Sequence, residues 1–204
     1  MVRDFTKILL LDLELTCWAD GTAPVGEFPE VIQIGTCLYD IERGERMNRM
    51  SLLVKPVHST VSQYCTDLTG ITPIALKKHG ITLEHAARRL LNLGLKRYAW
   101  ASFGLGDRLR LEQDMGHLEN YPLNDHHYDL STLGAMVLGS TKKIGQAAML
   151  QAFGLASEGR QHDASWDAWN LAAAVPYILR LPMPTLEQVA QSLVECKPAA
   201  APPG

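Results

Sequence analysis

The sequence lacks the features that mark several common classes of protein. It has only four cysteines, and these are far apart and form no CxxC pair, so neither a zinc ribbon nor a disulfide framework is indicated. No hydrophobic run approaches the roughly 20 residues of a membrane span. Positive charge is not in excess either, because the formal net charge is −3. Any binding of nucleic acid must therefore rest on local basic groups or on bound cations.

The N-terminal segment MVRDFTKILL has neither the apolar stretch nor the small-residue cleavage site of a signal peptide. We therefore expect a cytoplasmic protein whose cysteines are reduced thiols without a disulfide partner. A chain of 204 residues with 47% hydrophobic residues can bury one sizeable core. We expect one domain over residues 1–183, followed at 184–204 by a short helix and a disordered tail rich in proline and alanine.

The order of the predicted elements indicates an α/β fold. Short apolar runs bounded by turn residues predict strands at 7–16, 30–39, 47–54, 98–103 and 127–130. Helical spacing predicts helices at 82–93, 107–118, 131–139, 144–153 and 162–179. Three antiparallel strands followed by alternating helices and strands give a mixed central sheet with flanking helices. The fold class alone does not determine a function.

Two acidic residues interrupt the first predicted strand, in the stretch ILLLDLELTCW. Side chains alternate between the two faces of a strand, so Asp12 and Glu14 share one face and lie about 7 Å apart or less. Two like charges over a hydrophobic sheet repel each other and lose hydration, which a cation, an arginine or a raised pKa must offset. The alternative is that the strand ends here and both acids are hydrated.

Further candidate residues follow at Asp107, in FGLGD, and in the stretch QHDASWDAWN. Taken alone, Asp107 is equally explained as the N-cap of a helix, and Asp163 as an acid that favours a helix N-terminus. His162 and Asp167 lie five residues apart, which places them about 140° from each other around a continuous helix. They converge only if His162 lies in the loop that enters the helix.

Together these residue types point to one chemistry. Carboxylates from different elements supply the oxygen ligands that hard divalent cations require. Two such ions about 3.5–4 Å apart stabilise the attacking and the leaving oxygen of a phosphoryl displacement. A histidine titrates in the range needed to take the proton of an attacking water. We therefore interpret Asp12 and Glu14 as metal ligands and His162 as a general base, and we keep the helix-terminus interpretation for Asp163.

These motifs resemble those of the DEDDh 3′–5′ exonucleases, DnaQ-like enzymes with an RNase H-like core. The three motifs are DLELTC, FGLGD and HDASWD, and they carry all five signature residues in the right order. The resemblance spans about residues 6–180. The stretches YCTDLTGIT and EGRQH are similar to the branch that contains histone-mRNA and small-RNA 3′ exonucleases and KapD-type proteins.

The resemblance implies a role for each matching residue. Asp12 bridges two ions, which are Mg²⁺ or, as the alternative, Mn²⁺. Glu14 and Asp167 complete the coordination of one ion, and Asp107 holds the second. His162 is the general base, and the expected product is a nucleoside 5′-monophosphate.

The resemblance also implies a pocket for the terminal nucleotide, lined by Thr16 and by the segment from Tyr64 to Leu68. RNA-trimming relatives often carry an aromatic residue directly before the second motif's aspartate. Here that position is Gly106, and Phe103 lies three residues earlier. Phe103 is therefore the candidate for contact with the terminal base, and the glycine leaves room for a wider pocket.

The resulting functional hypothesis is a 3′–5′ exonuclease that acts on single-stranded 3′ ends, with RNA favoured over DNA. Two alternatives stay open. One is a catalytically silent module that still binds nucleic acid, and the other is a proofreading-type subunit that acts on DNA with a partner. The sequence leaves both a monomer and a homodimer open.

Overall fold

A computed structural model of the chain describes residues 5–179. Five strands lie in this part of the chain: β1 Lys7–Leu15, β2 Val31–Asp40, β3 Glu45–Leu53, β4 Ala99–Ser102 and β5 His127–Asp129. The α-helices are α1 Gln63–Thr69, α2 Pro73–His79, α3 Leu83–Asn92, α4 Gly106–Met115, α5 Leu130–Val137, α6 Gln146–Ala152 and α7 Ala164–Leu179. A single 3₁₀ turn, Leu95–Arg97, precedes β4. Among these residues, no helix combines the length and apolar character needed to cross a membrane.

The five strands form one mixed sheet in the order β3-β2-β1-β4-β5. The first three strands are antiparallel, with Asp12 opposite Gly35 and Glu14 opposite Gln33. Strand β4 runs parallel to β1, and β5 runs parallel to β4. Parallel strands end at the same edge of a sheet, so the carboxyl ends of β1 and β4 lie side by side. This edge is where the sequence places its acidic residues.

Hydrophobic cores cover both faces of the sheet, as alternation along β1 requires. Leu9, Leu11 and Leu13 pack on one face against α3 and α4. Ile8 and Leu10 face the other way, against α5, α6 and α7. Asp12 and Glu14 point to the same face as Ile8 and Leu10, so the acids lie on the face that α7 covers.

The predicted α/β fold class, with three antiparallel strands followed by alternating helices and strands, is confirmed. The segment after Thr60 contains two short helices, each with a side-chain N-cap: Ser62 caps α1 and Thr72 caps α2. Helix α7 continues through Pro176 to Leu179. The predicted short helix and tail at 184–204 lie outside the described residues.

Candidate active site

Strand β1 presents two carboxylates at the end of the sheet. Glu14 is only 9% exposed. Carboxylate oxygens of Asp12, Glu14 and Asp167 all lie within 4.8 Å of one another. Two of these acids come from β1 and the third from α7, so distant parts of the chain build the cluster. A cluster of this spacing can hold a divalent cation between its oxygens.

Asp107 joins the cluster from α4, which begins just after β4. The N-cap position of α4 is occupied by Leu105, and Asp107 lies in the first turn, so the N-cap interpretation of Asp107 is wrong. The Asp107 carboxylate instead accepts a hydrogen bond from the backbone N–H of Leu13. That bond fixes Asp107 against β1, between the two acids of the strand.

His162 lies in the turn that enters α7, and the helix itself begins at Ala164. Its backbone is in the left-handed region, with φ 58°. The backbone N–H of His162 hydrogen-bonds to the carboxylate of Asp167, one turn into the helix. This local turn gives the convergence of His162 and Asp167 that a continuous helix would prevent.

Asp163 serves as the cap of α7. Its Oδ1 accepts hydrogen bonds from the backbone N–H of Ser165 at 3.0 Å and from the Ser165 hydroxyl at 2.8 Å. Its backbone carbonyl accepts the first helical bonds, from the N–H groups of Trp166 and Asp167. The geometry agrees with the helix-terminus interpretation of Asp163, whose charge also adds to the repulsion felt by Glu14.

Two residues of β2 that sequence reasoning did not single out dock the N-terminus of α7. The Gln33 side chain accepts from the Ala164 N–H at 3.0 Å and donates to Asp163 Oδ1 at 3.1 Å. A Cβ at Gly35 would lie 2.0 Å from the backbone of Ala164. The signal was the pair of a glutamine and a glycine at alternate positions of an otherwise apolar strand, in the stretch EVIQIG.

One cavity of about 390 Å³ collects all five predicted catalytic residues. It is bordered by Asp12, Glu14, Asp107, His162 and Asp167. Side chains from α6 and α7 complete the wall, and Gln146 donates from its Nε2 to the Asp167 carbonyl at 2.9 Å. The volume falls in the range of small-ligand sites, about 300–1,000 Å³.

The electrostatics of the cavity call for a positive partner. Burial, followed by repulsion from Asp107 and Asp167, raises the pKa of Asp12 well above its usual range. Burial, with repulsion led by Asp167, raises the pKa of Glu14 to about 8. Burial also raises the pKa of Asp107 to about 7 and that of Asp167 to about 6. Carboxylates that repel each other in a desolvated cleft are stabilised in their charged form by a bound cation.

The donor set therefore fits divalent metal ions. Every candidate ligand is a carboxylate oxygen, as hard cations such as Mg²⁺ and Mn²⁺ prefer, and cysteine takes no part. Cys17, Cys37 and Cys65 are free thiols, and burial raises the pKa of Cys17 to about 12.

The four predicted substrate-contacting residues occupy different positions. Phe103 lines the cavity directly. Thr16 is fully buried, and its hydroxyl donates to the Phe28 carbonyl at 3.3 Å and accepts from the Glu30 N–H at 2.9 Å. Tyr64 is exposed and Leu68 half-buried, both on α1. Of the four, Phe103 is the one that the cavity wall includes.

The cavity of this α/β domain contains four carboxylates and a histidine. These are the residue types that metal-dependent hydrolases use. The model of one protein family, RNase_T, described as Exonuclease, matches residues 9–175. The chain belongs to this exonuclease family.

Known proteins resemble the chain over most of its length. ERI1 exoribonuclease 2 of Xenopus laevis is 26% identical over 196 residues, which cover 82% of this chain and 28% of that protein. The chain thus spans less than a third of this curated relative. The structure of cell-death related nuclease 4 (CRN-4) has a TM-score of 0.70 and 25% identity, covering 87% of this chain and 65% of that one.

The nuclease domain of 3′hExo, a DEDDh family member bound to rAMP, shares the fold with a TM-score of 0.76 at 20% identity. That match covers 86% of this chain and 92% of the 3′hExo chain. The family match confirms the predicted exonuclease family, and the solved structures confirm the predicted RNase H-like exonuclease fold.

Proposed function

We propose that this chain hydrolyses phosphodiester bonds at the 3′ ends of single-stranded nucleic acid, RNA in preference to DNA, and releases nucleoside 5′-monophosphates. The observation that carries the proposal is the convergence of five residues from β1, α4, α7 and its entering turn on one cavity. The catalytic unit is the domain predicted over residues 1–183.

The four carboxylates are the proposed ligands for two ions, Mg²⁺ or alternatively Mn²⁺. Asp12 is proposed as the shared ligand, since it feels repulsion from Asp107, Asp167 and Glu14 alike. When bound, the ions offset the charge of the phosphate and stabilise the attacking and leaving oxygens. The chain itself keeps the four acids fixed, so that little reorganisation is needed at the moment of reaction.

His162 is the proposed general base. Its backbone adopts a left-handed turn, and its N–H bonds the Asp167 carboxylate. These two features hold His162 at the cavity wall. An imidazole in this place takes the proton from the attacking water and lies beside the ligands without being needed as one.

The preference for RNA is supported by the relatives. The 26% identical protein is named an exoribonuclease, and the 3′hExo nuclease domain is described as bound to rAMP. Phe103, in the cavity wall, is the proposed stacking surface for the terminal base, a contact typically worth about 1–3 kcal/mol. A Cβ at Gly106 would meet no atom within 4 Å, so the position directly before Asp107 is open.

The test uses single-stranded RNA and DNA of one sequence, labelled at the 5′ end, with Mg²⁺, with Mn²⁺ or with EDTA. Each strand is supplied with a free 3′-hydroxyl and with a blocked 3′ end. We expect metal-dependent ladders that shorten from free 3′ ends, faster on RNA. Tight binding without cleavage would favour the silent module. Activity on DNA that appears only with a polymerase present would favour the proofreading-type subunit.

A further inference from the structure

Arg160 reaches across from the loop before α7 to the end of α1. Its Nη2 donates to the backbone carbonyls of Asp67 at 2.9 Å and of Leu68 at 3.3 Å. These carbonyls belong to the last turn of a helix, where the backbone has no partners of its own. A guanidinium is suited to this position because its planar fork presents several donors and it always carries a positive charge.

The end of α1 is shaped around this guanidinium. Gly70 follows the helix in the left-handed conformation, with φ 76°. A Cβ at Gly70 would lie 1.8 Å from Arg160 Nη1. The glycine therefore serves both the turn and the close approach of the arginine.

The loop that carries Arg160 is fixed at both ends. The Glu158 backbone makes reciprocal hydrogen bonds with the Asn170 side chain, each 2.9 Å long. Asp163 is held at the other end by Gln33 and by its capping bonds. Between these anchors, Arg160 bonds the end of α1, and His162 follows two positions later.

We propose that Arg160 is a positioning residue that couples the general base to α1, the helix that carries two of the proposed substrate-contacting residues. By bonding the end of α1, it makes the His162 loop and the helix that carries Tyr64 and Leu68 move as one unit. A 3′ nucleotide that binds against α1 then positions the loop so that His162 can take the proton of the attacking water. This proposal rests on the proposed function, because it assigns a role within that same site.

The first test is a double-mutant cycle. Arg160→Gln removes the fork, and we expect kcat to fall about 10- to 100-fold, the usual effect of a small misplacement of catalytic groups, with KM little changed. In a His162→Ala background the same change should alter the rate by less than about threefold, since a residue that acts through the base has nothing left to position. Arg160→Lys keeps the charge but not the fork and should not restore kcat.

The second test keeps Arg160 and changes the residue against which its guanidinium packs. Gly70→Asn tolerates the left-handed turn but puts a Cβ where the guanidinium lies, so kcat should fall as in Arg160→Gln. The matched control is Gly139→Asn, because Gly139 has φ 65° and its added Cβ meets no atom within 4 Å. Arg43→Gln, in the turn between β2 and β3, controls for the loss of one positive charge.

Hydrogen exchange supplies a readout that does not need activity. Arg160→Gln should speed exchange in α1 and in residues 157–162 together. The proposal is overturned by equal rate losses in both backgrounds, by a rise in KM alone, which would indicate direct contact with a substrate phosphate, or by unchanged exchange in α1. If the wild-type chain cleaves nothing, the proposed function fails, while exchange still decides whether Arg160 couples the two segments.

Discussion

At the scale of single residues, the site consists of acids that the fold holds together against their mutual repulsion. The raised pKa values of Glu14, Asp107 and Asp167 reflect burial first, and for Glu14 and Asp167 also repulsion from neighbouring carboxylates. In the sequence, Asp12 and Glu14 stand out because two acids in an apolar strand need a partner, whereas Asp107 and Asp167 are singled out only in combination with that pair. Their packing was not predictable, since the bond from the Leu13 N–H to Asp107 depends on how α4 meets β1.

Asp12→Asn should abolish metal-dependent cleavage and leave the fold intact. The amide removes the proposed shared ligand and also removes a buried charge that repels four neighbouring carboxylates. We therefore expect the metal-free variant to unfold at a higher temperature than wild type at pH 8, measured by circular dichroism. Asp125→Asn, at an exposed position, should change neither property. Wild-type cleavage rates in Asp12→Asn would refute the role of Asp12.

His162→Ala should lower kcat by about 10²–10⁴-fold, the usual contribution of a general base, while metal affinity stays nearly unchanged. Because His162 has φ 58°, alanine adds backbone strain. His162→Asn accepts that conformation more readily and should lose as much activity. Single-turnover kinetics and calorimetric titration with Mn²⁺ measure the two properties. A collapse of metal affinity in both variants would make His162 a ligand instead.

At the scale of elements, the position of α7 decides whether the site forms. Sequence periodicity predicts the strands and most of the helices, because alternation and helical spacing are local properties. It does not predict the docking of α7 on β2, in which Gln33 bonds Ala164 and Gly35 leaves room for the helix backbone. The role of the glutamine and the glycine follows only from the packing of α7 against β2.

Gly35→Ala tests this docking. The added methyl group would overlap the backbone of Ala164, and overpacking of this kind costs about 1–3 kcal/mol of unfolding free energy. We expect urea denaturation to show that loss, together with a fall in kcat as His162 and Asp167 shift with the helix. Gly106→Ala, whose Cβ meets no atom within 4 Å, should not lose stability. An active and fully stable Gly35→Ala would contradict the tight fit.

At the scale of the whole molecule, the mixed sheet joins its antiparallel and parallel halves at β1, and the carboxyl ends of β1 and β4 form the floor of the site. The element order alone predicts this α/β class, whereas the sheet edge at which the acids meet follows from the parallel pairing of β1 with β4. The short helix and tail predicted at 184–204 stay predictions. Both oligomeric states named above, monomer and homodimer, also stay predictions.

The stability of the metal-free protein should fall as the pH rises from 6.5 to 8. Glu14 has its pKa raised from 4.5 to about 8, so the folded state holds a proton that the unfolded state has released, and folding weakens with pH. Below 6.5 the half-buried His127, with its pKa lowered to about 4 chiefly by desolvation, acts in the opposite direction. We expect a loss on the order of 2 kcal/mol.

Thermal unfolding in chelator measures this slope, and Mg²⁺ should reverse it, because metal ions compete with protons for the same oxygens. The stabilisation by Mg²⁺ should therefore be larger at pH 8 than at pH 6.5. Glu14→Gln should flatten the slope in chelator. A metal-free protein that becomes more stable across this range would contradict the electrostatic account of the site.

The most direct test of the account is the identity of the released product. A single-stranded RNA with a free 3′-hydroxyl is incubated with the protein and Mg²⁺ in water enriched in ¹⁸O, and the products are weighed by mass spectrometry. We predict nucleoside 5′-monophosphates that each carry one ¹⁸O in the phosphate, and none with Asp12→Asn. Products that end in a 3′-phosphate, or release that continues without metal, would contradict the account.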